Sequence, residues 1–475
     1  MQRRTFLRST AVAALVAVPL APSLSGSASA TELPVASLAE LQRAINGAAP
    51  GDRIVVADGT YTVPSGSAIN ISGKNGTGTS QISIVSKTPG GAVLRGARGF
   101  VLSNSSNITI SGFSFRQSTT MEIPASCSSI RLTRNDFQFA DTGDPYWVVV
   151  RANDSKIDHN HFHDKTTAGI FIVVDGPGST GMAQNLHIFR NHFSDHSFTG
   201  SNGGEPIRLG VSGRALSGAK AVVEYNLFER CDGAPEAISV KSSDNTVRYN
   251  TIRDSRGGIV LRHGNRNRVE GNYLIDGTDG IRLYGNDHRI VNNYLSGLSG
   301  RALVIGSGTT RDHNSGETQD ERRGNDACDR AVIVHNSLLN NTGTLSGETR
   351  KYEPRDVVVA DNLLVGNSGS LVAMGATTRF TWQTNMVWGS ASNGNIPSGG
   401  FTRADPRLVR GQDGVLRLSS GSPAIGAATL GSPDVADDID GDKRGSARDI
   451  GADEYATTPA LRHPLTAADV GPNAA

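Results

Sequence analysis

From residue 105 onward the chain repeats one short pattern: apolar residues alternating with polar ones, then an asparagine, then a second apolar pair. QNLHIFRNHFSD from Gln184, AVVEYNLFERCDG from Ala221, DNTVRYNTIRDS from Asp244 and RNRVEGNYLIDG from Arg266 show it clearly. The aligned residues Asn135, Asn160, Asn191, Asn226, Asn250, Asn272, Asn293, Asn336, Asn362 and Asn385 lie 21 to 43 residues apart. Alternation of period two predicts strands. A coil-length repeat with no helical segment between predicts an all-β, single-domain right-handed parallel β-helix. Asparagine suits the turn of each coil, because it tolerates left-handed backbone and can hydrogen-bond to its counterpart on the next coil. The longer intervals, 160 to 191 to 226 and 293 to 336, carry insertions that should wall one side of the stack.

The ends of the chain read differently. Arg3-Arg4-Thr5-Phe6-Leu7-Arg8, the apolar run Ala11–Ala21 and Ala28-Ser29-Ala30 predict a cleaved twin-arginine signal over 1–30, and so a secreted, extracellular protein. Ser37 and Glu40 form a capping box ahead of the apolar face of Leu38, Leu41, Ala44 and Ile45, which predicts a helix covering the open start of the stack. The β-helix domain is expected over 31–457. Asp438, Asp440 and Asp442 alternate like a calcium loop, but the Gly and distal Glu of an EF-hand are misplaced, and an end-cap turn is expected there. The Pro/Ala-rich 458–475 segment is expected to be a flexible tail.

Composition agrees with a strand-and-turn protein: aromatic residues make up 5% of the chain and glycine numbers 56. Cys127, Cys231 and Cys328 are too few and too far apart for a disulfide framework and are expected to be buried thiols. With a net charge of +1, affinity for an anion must come from a local patch. Neither nucleic acid nor a membrane is an expected partner, and a monomer is favoured.

The candidate patch lies in Asp232–Asn272. Two apolar runs, Ala237–Val240 and Gly258–Leu261, end directly in Lys241 and Arg262, 21 residues apart. That spacing puts the two bases on neighbouring coils, one above the other, with Glu236 and His263 beside them. Stacked bases on one face suit a polyanion. The insertion 301–330 is dense in charge, and Arg322 and Arg323 are candidates to touch an anionic sugar. Tyr249 is a further candidate for substrate contact.

The runs NGGEPIRLG (202–210), VEYNLFERCDGAPEAISVKSSDNTVRYNT (223–251) and GGIVLRHGNRNRVEGN (257–272) closely resemble polysaccharide lyase family 6, which contains alginate lyases and chondroitinase B. The resemblance implies cleavage of 4-linked uronate chains by β-elimination. It assigns Lys241 as the base and Arg262 as the acid that assists the leaving oxygen. Arg208 is then a carboxylate-binding residue on an adjacent coil, with His263 able to share the task. Family members that hold calcium use an Asn in the N-G-G-E block and two Glu before the Lys. Asn202 and Glu236 match, but Ala234 replaces the first Glu, so Ca2+ is doubtful, unless Glu205, otherwise a substrate-binding candidate, substitutes. Val240 also stands where the family usually has Asn. Alginate is the expected substrate. Dermatan sulfate, or hydrolysis by a β-helix glycosidase, is the alternative, although the chain lacks the paired acidic residues that hydrolysis needs.

Overall fold

The computed structural model describes residues 31–143, 146–432 and 434–475; the export signal expected over 1–30 lies outside the described residues. Each coil of the chain contributes up to three short strands, and each strand pairs in parallel with its equivalent one coil later. The result is a right-handed parallel β-helix of three long sheets. The first has 14 strands, from Glu32–Val35 to Thr381–Gln383; the second has 11, from Met121–Ile123 to Ser392–Gly394; the third has 14, from Gly59–Val63 to Phe401–Arg403. No helix among the described residues is long and apolar enough to cross a membrane.

The helix Leu38–Gly47 caps the first coil. Ser37 Oγ accepts from the Glu40 N–H at 3.2 Å, while Glu40 reaches back to the Ala36 N–H at 2.8 Å. Leu41 and Ile45 close the core against the first strands of the stack. Inside, every second side chain of each strand points to a shared apolar core. Part of it is a ladder of Phe115, Phe137, Phe162, Phe193 and Phe228, stacked with centroids 4.5 to 5.2 Å apart. The few aromatic residues are concentrated where stacking in register adds to burial.

The asparagine ladder is present along its full predicted length. All ten asparagines are buried, and each after Asn135 accepts from both the backbone N–H and the side-chain amide of the one before it, while Asn135 accepts from the Phe113 N–H; Asn250, for example, gives both to Asn272 Oδ1 at 3.0 Å. One detail differs from expectation. The left-handed backbone belongs to the residue before each asparagine, such as Arg134, His159, Arg190, Tyr225 and Tyr249, with φ of 53° to 56°. That turn points the asparagine side chain inward, where its amide also satisfies backbone carbonyls, such as Arg248 O for Asn250 at 3.0 Å. Hydrogen bonding, not backbone tolerance, is why the position is asparagine.

The C-terminal region corrects two expectations. The Asp438–Asp442 turn does not cap the stack but packs sideways on the third sheet, where Ile439, Ile450 and Ala452 cover Tyr273, Tyr294 and Leu363. Asp440 is held there by Arg417 and by the Tyr273 hydroxyl at 3.0 Å. The 458–475 segment is not loose in the structure. Leu465 and Val470 pack on Leu227, Arg462 lies 4.2 Å over the Tyr249 ring, and Arg134 donates to Pro472 O at 2.9 Å. Outward-facing Tyr225, Leu227 and Tyr249 supply an apolar strip that the composition of the tail itself does not reveal. The three cysteines are free and buried, as expected.

Candidate active site

The outer face of the second sheet positions the predicted residues. Strands Ile172–Val174, Ile207–Leu209, Glu236–Lys241, Gly258–His263, Ile281–Leu283 and Arg301–Ile305 run side by side, and their Ile and Leu side chains enter the core. The residues between face outward, so Val173, Arg208, Ser239, Val260, Arg282 and Val304 form one column across the strands. Arg208 and Arg282 are three strand spacings apart in it, about 14 Å along the column.

Lys241 ends its strand at a bulge. Val240 pairs with Leu261 but Lys241 pairs with His263, so Arg262 is the extra residue and does not sit directly above Lys241 as the spacing suggested. The bulge turns two consecutive residues of one strand toward a single lysine. The Lys241 side chain is only 14% exposed, and its Nζ lies 3.9 Å from Oε1 of the buried Glu205. Glu205 is fixed by the Gly203 N–H, which donates to its Oε2 at 3.0 Å. Burial lowers the Lys241 pKa below the ordinary lysine value; Glu236 and Glu205 oppose the shift, and Arg208 and Arg262 add to it. His263 is buried, and desolvation, with Arg262, Lys241 and His313 nearby, pushes its pKa down to about 3. Its imidazole is therefore neutral near pH 7 and can offer a hydrogen bond but not a charge.

Several functional neighbours were not singled out from sequence. Arg282 Nη2 lies 3.6 Å from Glu236 Oε1. The Arg262 guanidinium sits 5.8 Å from the centroid of the Tyr284 ring, whose hydroxyl is bound by Glu348 at 2.9 Å and Arg350 at 3.2 Å. Arg208 stacks 4.9 Å from the Tyr146 ring. From the 301–330 insertion, the His313 ring comes within 6.5 Å of His263, so this loop does wall the site. A signal for Arg282 existed: Ile281-Arg282-Leu283 repeats Ile207-Arg208-Leu209 in the same sheet.

Other candidates fall elsewhere. Tyr249 sits on the turn between the first and third sheets, beneath Arg462, and takes no part in this face. Arg322 is buried and spends its guanidinium on the carbonyls of Gly213, Asn314 and Ser315, which ties the insertion to the 212–214 turn. Arg323 is exposed and pairs with Asp320 at 3.3 Å. Val240 points into the core, so it does not alter the pocket; the outward neighbour is Ser239.

This face also concentrates unmet hydrogen-bonding capacity. Arg208 Nε, Glu236 Oε2, Ser239 Oγ, His263 Nδ1 and Arg282 Nε are all buried with no hydrogen-bond partner among the described residues. Orphaned polar atoms are rare in folded proteins, and a cluster of them on one face marks a place for a polar ligand.

Comparison with known proteins agrees. The family model for chondroitinase B matches residues 35–350, more than half of the chain. The chain belongs to polysaccharide lyase family 6. Among solved structures, the family-6 alginate lyase AlyGC matches at 27% identity and a TM-score of 0.71, over 82% of this chain and 56% of AlyGC. This chain thus spans just over half the length of that relative. A mannuronic-acid-specific family-6 lyase from the human gut microbiota matches at 25% identity and a TM-score of 0.70, over 79% of this chain and 91% of that one. A family-6 alginate lyase solved with a trisaccharide matches at 22% identity and a TM-score of 0.64, which shows the shared fold. No protein in the curated set matches.

The calcium that some family-6 lyases hold does not suit the residues found here. Ala234 brings a buried methyl where a carboxylate would be needed, and Asn202 is exposed. Glu205 is committed to the Gly203 N–H and faces Lys241. Glu236 keeps one oxygen unpartnered, but its other oxygen faces the Arg282 guanidinium. A hard dication takes six to eight oxygens, and the residues here supply too few.

Proposed function

We propose that the protein is an exported polysaccharide lyase that cleaves alginate by β-elimination, without calcium in the active site. The observation that carries this reading is the buried Lys241, its pKa lowered, on a face it shares with Arg208, Arg262 and Arg282. The C5 proton of a uronate is weakly acidic until the adjacent carboxylate charge is offset. Arg208 and Arg282, from the outward column, supply that charge, and neutral His263 adds a hydrogen bond. Lys241, as the free amine, takes the C5 proton. The electron pair forms the C4–C5 double bond and the bond to the 4-linked oxygen breaks. The Arg262 guanidinium keeps its own proton and stabilises the departing oxygen by hydrogen bonding; water then protonates that oxygen, and the hydroxide left behind takes the proton from the Lys241 ammonium, restoring the free amine. Alginate is preferred because AlyGC is an alginate lyase and the gut-microbiota relative is specific for mannuronic acid. Dermatan sulfate is the second reading, favoured by the chondroitinase B family model.

The test is ultraviolet absorbance of the purified chain on each polymer, with and without a chelator. A rise on alginate, unchanged by chelation, is expected. A rise only on dermatan sulfate would replace the substrate, and loss of activity on chelation that is restored by calcium and not by zinc would overturn the metal-free site.

The pH dependence is also expected to report Lys241. Because the base acts unprotonated, kcat/KM should rise with pH through the Lys241 pKa. Glu205 favours the ammonium form, so removing its charge lowers that pKa. The acid limb of the profile for Glu205→Gln should therefore lie at lower pH than that of the wild type. A limb that stays in place would show that another group is the base.

A further inference from the structure

The third sheet carries a cluster of imidazoles and carboxylates that the elimination chemistry does not use. His161 and His163 are two residues apart on the strand His161–Lys165, so both side chains leave the same face. Asp136, on the preceding coil, is the register partner of His161. Asp136 Oδ2 is hydrogen-bonded to His163 Nε2 at 2.9 Å and lies 3.9 Å from His161 Nδ1, and one ligand atom from each of the three residues falls within 4.8 Å of the other two; an ion bound here takes the place of the proton in that hydrogen bond. All three are partly exposed, so an ion from solution can reach them.

The outer contacts are those that orient metal ligands. The second nitrogen of each imidazole is already held: His163 Nδ1 by Asp164 Oδ2 at 2.9 Å and His161 Nε2 by Ser194 Oγ at 3.0 Å. A ligating histidine almost always has its far nitrogen anchored in this way. The other oxygen of Asp136 is bound by Arg116. His192 stacks on His161 at 4.5 Å and is tied to Glu229 at 2.9 Å. His161 Nδ1 faces Asp136 Oδ2 across 3.9 Å, about the span of two ligand bonds to one ion.

We propose that Asp136, His161 and His163 form a site for a divalent transition-metal ion of the zinc class, clamping two neighbouring coils of the β-helix. Two imidazoles and one carboxylate favour such an ion over calcium, which prefers oxygen alone. Three protein ligands leave one tetrahedral position for water. The site is on a different sheet from Lys241, and its role is to hold coils together.

The test is cobalt(II) titration of chelator-dialysed protein, followed by visible ligand-field absorption, with zinc added in competition and melting temperature as a second readout. One equivalent of cobalt should bind, zinc should displace it, and zinc should raise the melting temperature. His163→Ala is expected to weaken binding about 10²-fold or more and to abolish the thermal shift. Asp136→Asn keeps the side-chain volume and gives the same comparison should His163→Ala not fold. The absence of stoichiometric binding by the wild type, or equal binding by wild type and variant, would overturn the site.

Discussion

Lys241→Ala is expected to lower the turnover of alginate by about 10² to 10⁴-fold, the usual contribution of a positioned general base. Oligosaccharide affinity should change far less, since Arg208, Arg262 and Arg282 remain to meet the substrate carboxylates. Lys241→Arg should be almost as inactive as the alanine variant, although it keeps the charge, because a guanidinium does not give up its proton at working pH. The pair of variants separates base from cation. Turnover is measured by initial rate and affinity by calorimetry with an alginate oligosaccharide. Activity retained in Lys241→Arg would assign this residue a purely electrostatic part.

Asn272→Ala is expected to produce a large loss of stability, as would truncation of its equally bonded ladder neighbours Asn226 and Asn250. Asn272 Oδ1 accepts from Asn250 twice, at 3.0 Å each, and its amide donates to Val247 O, Glu270 O and Asn293 Oδ1 at 3.0, 3.1 and 2.9 Å. Truncation leaves buried donors and acceptors unmet on three successive coils, where water does not reach. Each buried orphan costs about 1–3 kcal/mol, and partial relaxation should hold the total near 3–5 kcal/mol. Urea unfolding midpoints compare the two proteins directly. A loss below about 1 kcal/mol would mean that the stack is held by its apolar core and that the ladder only sets register.

Much of this architecture is legible in the chain because a coil repeat writes the same physical demand many times over. Ten asparagines at one turn, each preceded by an alternating strand, leave little freedom in the fold. The cap helix was legible for the same kind of reason, since Ser37 and Glu40 state a local hydrogen-bonding arrangement. Lys241 stood out because it ends an inward-facing run, but its exact neighbour did not. The bulge that pairs it with His263 depends on one extra residue in the next strand, which a count of 21 residues cannot distinguish from true stacking.

The misplaced residues follow one rule: their fate is decided by contacts distant in sequence. Arg322 is spent on Gly213, more than a hundred residues away, and Tyr249 is covered by Arg462. The tail was misread because its partner strip, Tyr225 and Leu227, belongs to another part of the chain. Arg282 was overlooked although its tripeptide repeats that of Arg208; comparing outward positions between coils, in addition to inward ones, would have found it.

The most direct test of elimination at Lys241 is the ratio of unsaturated ends to new reducing ends, measured on one sample of digested alginate by ultraviolet absorbance and a reducing-sugar assay. Elimination creates one of each per cleavage, so the proposed mechanism predicts a ratio of one at every stage of the digestion. Reducing ends that accumulate without absorbance would mean hydrolysis, and the roles given to Lys241 and Arg262 would not stand.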